Sequence, residues 1–329
     1  MAYYLVIDDV SFLFFRYIIT SGGDTVKLID YLMDSDSSIQ SLASKHLFNK
    51  DITVKNSKII ESYLSHFDPI TNKFGNGIYS PKWISTFYTL RDLTQFNIDY
   101  KNPIFQKGLD TLLHHMWNKE NFIEDDICVV AMLVSLCTYG RRDTLIMDEM
   151  MDYLIQAHQK EDGGWNCACI RHDTHKSSIN TTLSVLEAFR DYERFGYTNK
   201  IEAIKPLIKQ GHEYLLRKKL FLRETNQTPI FKYITDIHFP IHWQYDIYRA
   251  LDYFASIKYP YDIRMEQAFD SLKQSFKQGL LPRGKTFSGK THFKLDTTDV
   301  IKVNTIRGLS VLKVYDSKLY QELIHTTID

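Results

Sequence analysis

The stretch "QKEDGGWNCACIRHDTHKSSINTTLSVLEAF" (159–189) sets a polar, glycine-containing loop in front of an apolar helical run. Its second half, "SSINTTLSVLEAF" (177–189), opens on small polar residues of the kind that cap a helix. It then stays apolar on most faces, which marks a buried helix. Similar text recurs. "PKWISTFYTLRDL" (81–93) follows "FGNGIYS", "IHWQYDIYRALDYF" (241–254) follows "FKYITDIHFP", and "IKVNTIRGLSVL" (301–312) follows "LPRGKTFSGKTHFKLDTTDV". Ser85, Thr181, Asp246 and Asn304 each stand five residues before a leucine, at Leu90, Leu186, Leu251 and Leu309. "EDDICVVAMLVSLC" (124–137) fits the same frame, with Asp126 in that place.

Between these runs lie amphipathic segments: "KIIESYLSHF", "GLDTLLHHMWNK", "MDEMMDYLIQAHQK", "IKQGHEYLLRKKL" and "MEQAFDSLKQSFKQG". They alternate apolar residues with Lys, Glu and Gln, as solvent-facing helices do. The order outer helix, loop, inner helix therefore repeats every ~40–65 residues. The pattern predicts an all-α fold, an (α/α)6 toroid of alternating outer and inner helices. It forms one domain over residues 1–329, with "SFLFFRYII" (11–19) as the sixth inner helix.

In such a ring the loops that enter the inner helices emerge at one end, and the converging N-termini favour negative charge there. The expected mouth is built from loops 74–83, 120–126, 159–178, 234–246 and 283–304. The chain holds 40 basic and 40 acidic residues, so it has no electrostatic footprint for nucleic acid. It has no apolar run long enough to span a bilayer and no basic-then-apolar leader at its start. A cytoplasmic protein acting on a small molecule is expected, with the oligomeric state left open. Four cysteines in 329 residues do not make a disulfide scaffold.

Gln159, Asp162, Gly163, Gly164 and Trp165 read Q-x-x-D-G-G-W. This resembles the repeat motif of the terpenoid cyclase and protein prenyltransferase toroids, squalene cyclases among them. "FGNGIYSPKW" is a fainter copy, and the repeats together cover most of residues 60–315. The resemblance implies the toroid, and an apolar or isoprenoid substrate that is cyclised or transferred in a central cavity. It gives the motif a structural role: the glycines make a tight turn and the aromatic packs.

Cyclases of that superfamily protonate an alkene with a D-x-D-D motif. Here "IEDDIC" keeps Asp125 and Asp126, with Ile123 in place of the first acid. A carboxylate pair sharing a proton makes a usable acid, whereas acids at a helix start also simply complement the dipole. Asp296 and Asp299 offer a poorer match. The prenyltransferases bind zinc at inner-helix starts, and Cys167, Cys169, His172 and His175 lie near one such start, His242 and Asp246 at the next. Cys167 and His175 with Asp246, or with His242 in its place, are the expected ligand set for zinc, with an open fourth position. Polar loop histidines equally serve as ordinary hydrogen-bonding groups.

Asp125, Asp126, Asp246 and His242 are thus the candidate catalytic groups. Trp83, Trp165, Trp243, Tyr245, Asn304, Arg249 and Arg307 are the candidate substrate contacts. Aromatic walls stabilise carbocations, bind sugar faces, or fill space. The arginines, one turn into two buried helices, need a partner, either a carboxylate such as Asp246 or a substrate phosphate. Two other functions fit the same frame: a carbohydrate-active toroid with carboxylates and aromatic platforms, and a non-catalytic toroid that binds a peptide or partner protein.

Overall fold

Asp36 shows why the first long helix starts where it does. Its Oδ1 accepts from the Ser38 backbone N–H and the Ser38 and Ser57 hydroxyls, and its Oδ2 from Lys58 N and Ile59 N. One carboxylate therefore caps helix α2 (Ser37–Phe48) and anchors the start of α3 (Lys58–Leu64). Burial would raise this carboxyl, but the hydrogen bonds from Ser38 and Ser57 outweigh it and hold it below the ordinary range.

The computed structural model describes residues 26–117, 126–169 and 174–328. Among them are thirteen α-helices and four two-residue strands. Besides α2 and α3, the helices are α1 (Leu28–Met33), α4 (Thr86–Gln95), α5 (Pro103–Met116), α6 (Ile127–Tyr139) and α7 (Thr144–Gln156). Then follow α8 (Ile179–Arg194), α9 (Ile201–Arg217), α10 (Ile247–Ser256), α11 (Glu266–Ser275), α12 (Thr297–Tyr315) and α13 (Ser317–Ile324). The protein is mostly helical, as the sequence pattern requires.

The even-numbered helices carry the core. In α6 eleven of thirteen residues are buried, and α4, α8, α10 and α12 are buried over most of their length. The odd-numbered helices alternate buried and exposed positions, as in α9 with its buried Ile204, Gly211, His212, Tyr214, Leu215 and Leu216. Neighbouring even helices touch in turn. α6 packs on α8, α10 on α12, α12 on α2, and α4 on α6. Arg249 of α10 reaches Glu187 and Ser184 of α8. Asn97, just past α4, donates to Ser41 of α2, and Lys45 of α2 donates to Asn97.

The two ends of the described chain are tied. Strand β1 (Val26–Lys27) pairs antiparallel with β4 (Thr327–Ile328), and Lys302 Nζ donates to the Asp34 carbonyl. The expected inner helix at 11–19 lies outside the described residues. Beside α12 and α4 stands α2, a helix that the sequence pattern missed. Its buried face mixes Ser38, Ser41 and Ser44 with Ile39, Leu42, Ala43 and Leu47, and the buried serines blur the 3.6 period.

Candidate functional site

The segments that lead into the buried helices do meet. Trp83 N donates to Lys290 O and Lys290 N to Lys82 O, so loops 74–83 and 283–304 pair. The Trp83 ring lies 3.9 Å from that of His242, stacked at 8°, and its Nε1 donates to the carbonyls of Phe287 and Ser288. His238 stacks on Phe287 at 4.2 Å. Cys128, in the first turn of α6, is joined to Cys167 as a disulfide, which ties loop 159–178 to this end. The rings of Trp83, His238, His242 and Phe287 therefore pack together where loops 74–83, 234–246 and 283–304 meet.

The expected site residues divide by what they touch. Asp246 caps α10, accepting from Arg249 N at 2.7 Å, and pairs with His238 Nδ1 at 3.1 Å. His242 Nε2 stands 3.5 Å from Asp92 Oδ1, whose other oxygen accepts from Tyr63. Tyr245 is buried, with its hydroxyl on Leu220 O. Asn304 donates to Pro282 O and Arg283 O. Trp165 is wholly buried, donating from Nε1 to Leu154 O. Trp243 is half-buried, with the Lys82 ammonium 5.7 Å from its ring. Asp126 opens α6, and its charge reaches Tyr79 and Tyr88. Asp125 and His172 lie outside the described residues.

The zinc set does not fit. The Cys167 sulfur is bonded to Cys128, the Asp246 carboxylate is engaged by Arg249 N and His238, and His175 lines a separate surface recess with Cys169. Among the described residues, no group of three or more His, Cys, Asp or Glu side chains is placed to hold a metal ion.

A cavity of about 250 Å³ opens among the even-numbered helices, mostly along their second halves but at the middle of α12, with Phe239 and Ile241 of loop 234–246 also in its wall. All six contribute: Leu42, Lys45 and His46 from α2, Arg91 and Gln95 from α4, and Ser135 and Leu136 from α6. Glu187, Arg190, Asp191 and Arg194 come from α8, Asp252 from α10, and Ile306 and Arg307 from α12. Five cationic side chains face three carboxylates, and the pattern of pairing separates them.

Arg190 is matched by Asp191 at 2.8–2.9 Å and by Ser256 Oγ at 3.1 Å. Burial would raise Glu187, but the Arg249 guanidinium, aided by Arg190 and Arg91, outweighs it and holds the carboxyl below its ordinary range. Burial and the Arg249 charge lower Arg91, whose Nη2 reaches His242 O at only 3.4 Å and whose Nε has no partner. Arg307 differs from all of these. Its Nε lies 3.5 Å from Asp252 Oδ2, and its Nε, Nη1 and Nη2 are shielded from solvent without a hydrogen-bond partner.

Sequence reasoning found Arg307 in this lining, and Arg249 just behind it holding Glu187, but missed the rest. A signal was present. The residue directly after the frame leucine is Arg91, Glu187 or Asp252 in three of the repeats, and all three face the cavity. A charge at one fixed repeat position in an otherwise buried helix marks an inward polar ring.

No protein-family model matches this chain, and a comparison with curated proteins finds none that matches it.

Proposed function

We propose that the protein is an (α/α)6 toroid that takes a small anionic ligand into the cavity among its inner helices. The contacts that run from α2 through α4, α6, α8, α10 and α12 back to α2 support the ring. The observation that carries the ligand is Arg307. A guanidinium offers five N–H donors, and a buried cation with unmade hydrogen bonds is costly unless a partner arrives. Arg307 sits two turns before the end of α12, beyond the reach of the helix's own negative end. Its one counter-charge, at 3.5 Å, leaves the outer edge of the fork open.

The Q-x-x-D-G-G-W resemblance supports the same ring and, by analogy, an isoprenoid substrate. The cavity suits that substrate less well: its volume of about 250 Å³ is below the ~300–1,000 Å³ usual for drug-sized ligands. Its lining is charged as well as apolar. The carbohydrate reading needs exposed aromatic platforms, whereas Trp83 and Trp165 are buried in packing. Peptide binding is not favoured by a recess of this size.

The test is thermal denaturation with and without small carboxylates and phosphates at constant ionic strength. The wild type is expected to gain several degrees in Tm. Arg307→Met is expected to lose that gain while staying as stable as the wild type, or slightly more so, without anion, because an unsatisfied buried charge has gone. Equal anion stabilisation of the two proteins would refute the reading.

A further inference from the structure

The cavity charges form two groups. In the first, Glu187 is held by Arg249 from behind the lining, Asp191 pairs with Arg190, and Arg91 lies beside them. The second group surrounds His46 of α2. Lys45, Arg194 and Arg307 act on that imidazole as cations and Asp252 as a carboxylate, and all of them line the cavity. Lys45 and Arg194 lie in the last turns of α2 and α8, where the helix dipole favours a cation. That accounts for their placement singly, but not for their lining one cavity with Arg307, whose Nη1 and Nη2 lack protein partners; Lys45 Nζ is held only at 3.3 Å by Asn97 and 3.9 Å by Asp51.

A carboxylate ligand brings one charge and two acceptors to this place. A phosphate monoester brings close to two charges at neutral pH and three acceptor oxygens, each with lone pairs enough for more than one of the cations. Arg307 suits the two-point part of that contact, since Asp252 engages it from the Nε side and leaves the Nη1/Nη2 edge clear. Lys45 is a point charge at the end of a flexible stem, suited to the third oxygen. The remaining wall, with Leu42, Leu136, Phe239 and Val303, is apolar and would face the carbon part of the ligand.

We infer that the Lys45, Arg194 and Arg307 group is a phosphoryl site for a small phosphate monoester, with the outer edge of Arg307 as its clamp. The inference rests on the anion-binding reading above and narrows it to one ligand class. Asp252 then limits affinity in the empty cavity, because it repels the incoming dianion while holding the guanidinium in place.

Calorimetric titration with glycerol 3-phosphate, succinate and acetate, at constant ionic strength and pH 7.5, tests this. Glycerol 3-phosphate is expected to bind at least tenfold more tightly than either carboxylate. Arg307→Lys is expected to lose tenfold or more of that affinity, since an ammonium cannot reproduce the fork. Lys45→Ala and Arg194→Ala should each narrow the preference for phosphate over acetate, and Asp252→Asn should tighten phosphate binding severalfold. Far-UV circular dichroism checks that each variant is folded, and the wild-type preference carries the test if any is not. Succinate or acetate binding as tightly as glycerol 3-phosphate, still dependent on Arg307, would overturn the phosphoryl site and leave the anion cavity standing. Absence of binding by all three probes would overturn both. Unchanged glycerol 3-phosphate affinity in folded Arg307→Lys would overturn the clamp.

Discussion

Arg249 spends all of its hydrogen-bonding capacity inside the protein. Nε and Nη2 hold the two Glu187 oxygens at 3.0 and 2.5 Å, Nη2 also reaches Ser184 Oγ, and Nη1 reaches the carbonyls of Trp243 and Gln244. The residue is 1% exposed, so removing it leaves Glu187 shielded and without its hydrogen-bonded counter-charge, with only the Arg190 and Arg91 charges nearby. Arg249→Met is therefore expected to destabilise the fold by about 3–5 kcal/mol. The double variant Arg249→Met with Glu187→Leu should recover most of that loss, because the pair is then replaced by apolar side chains. Urea unfolding of the four proteins measures the coupling, and additive losses would contradict the pairing.

A second residue sets an acid limit. His212 is 7% exposed, with its Nε2 2.8 Å from the Tyr253 hydroxyl, and burial depresses its pKa to about 4. In the unfolded chain the imidazole titrates near 6.5. Between those values the unfolded state binds the proton and the folded state does not, so stability is complete above pH ~6.5 and declines as pH falls toward 4. The loss from this group is on the order of 3 kcal/mol. His212→Phe should flatten the dependence across that window, measured as urea midpoints from pH 7 to pH 4. An unchanged slope would show that His212 is not the titrating group.

At the scale of the elements, the Q-x-x-D-G-G-W loop is a joint between three helices. Gln159 N donates to Gly164 O, Asp162 accepts from Ser177 N at 2.8 Å and from the Ser177 hydroxyl, and Trp165 N donates to Thr182 Oγ1 at 3.0 Å. Gly163 adopts φ +86°, and a Cβ on Gly164 would sit 2.5 Å from Thr182 Oγ1 and 2.8 Å from Ser177 Cβ. Trp165 also packs near Gly211 of α9 and against Phe189 of α8. Trp165→Ala should cost about 3–5 kcal/mol, and Thr182→Val about 1–3 kcal/mol for an orphaned backbone N–H. Equilibrium unfolding gives both values, and a Trp165→Ala loss below about 1 kcal/mol would deny the joint.

The helices α4, α6, α8, α10 and α12, and the structural part of this loop, were legible because apolar periodicity and glycine geometry are local. Two features were not. Helix α2 hides behind buried serines, whose value lies in contacts such as Ser41 to Ile52 O, fifty-odd residues from Asn97 on its other side. The cavity was sought at the helix N-termini, where dipole reasoning puts anions. It lies deeper, mostly along the second halves of the helices, and its charges Arg91, Glu187 and Asp252, each read singly, look like ordinary helix charges until the packing of the helices brings them together.

At the scale of the whole molecule, the question is whether the helix pairs close on themselves or merely stack. An open stack of repeats tolerates loss of its last unit, because each repeat contacts only its neighbours. In this protein the last unit contacts the first. Helix α12 packs against both α10 and α2, Tyr320 of α13 donates to Leu47 O, Lys313 reaches Asn49 at 3.2 Å, and β4 pairs with β1. A chain ending at Leu295 would uncover the buried faces of α2 and α10 at once and leave β1 unpaired. It should therefore lose the cooperative unfolding transition of the full chain, not shift it by one repeat's worth. Thermal scans by circular dichroism distinguish the two cases. A sharp transition in the shortened chain, a few degrees below that of the full one, would favour an open stack and remove the ring on which the central cavity depends.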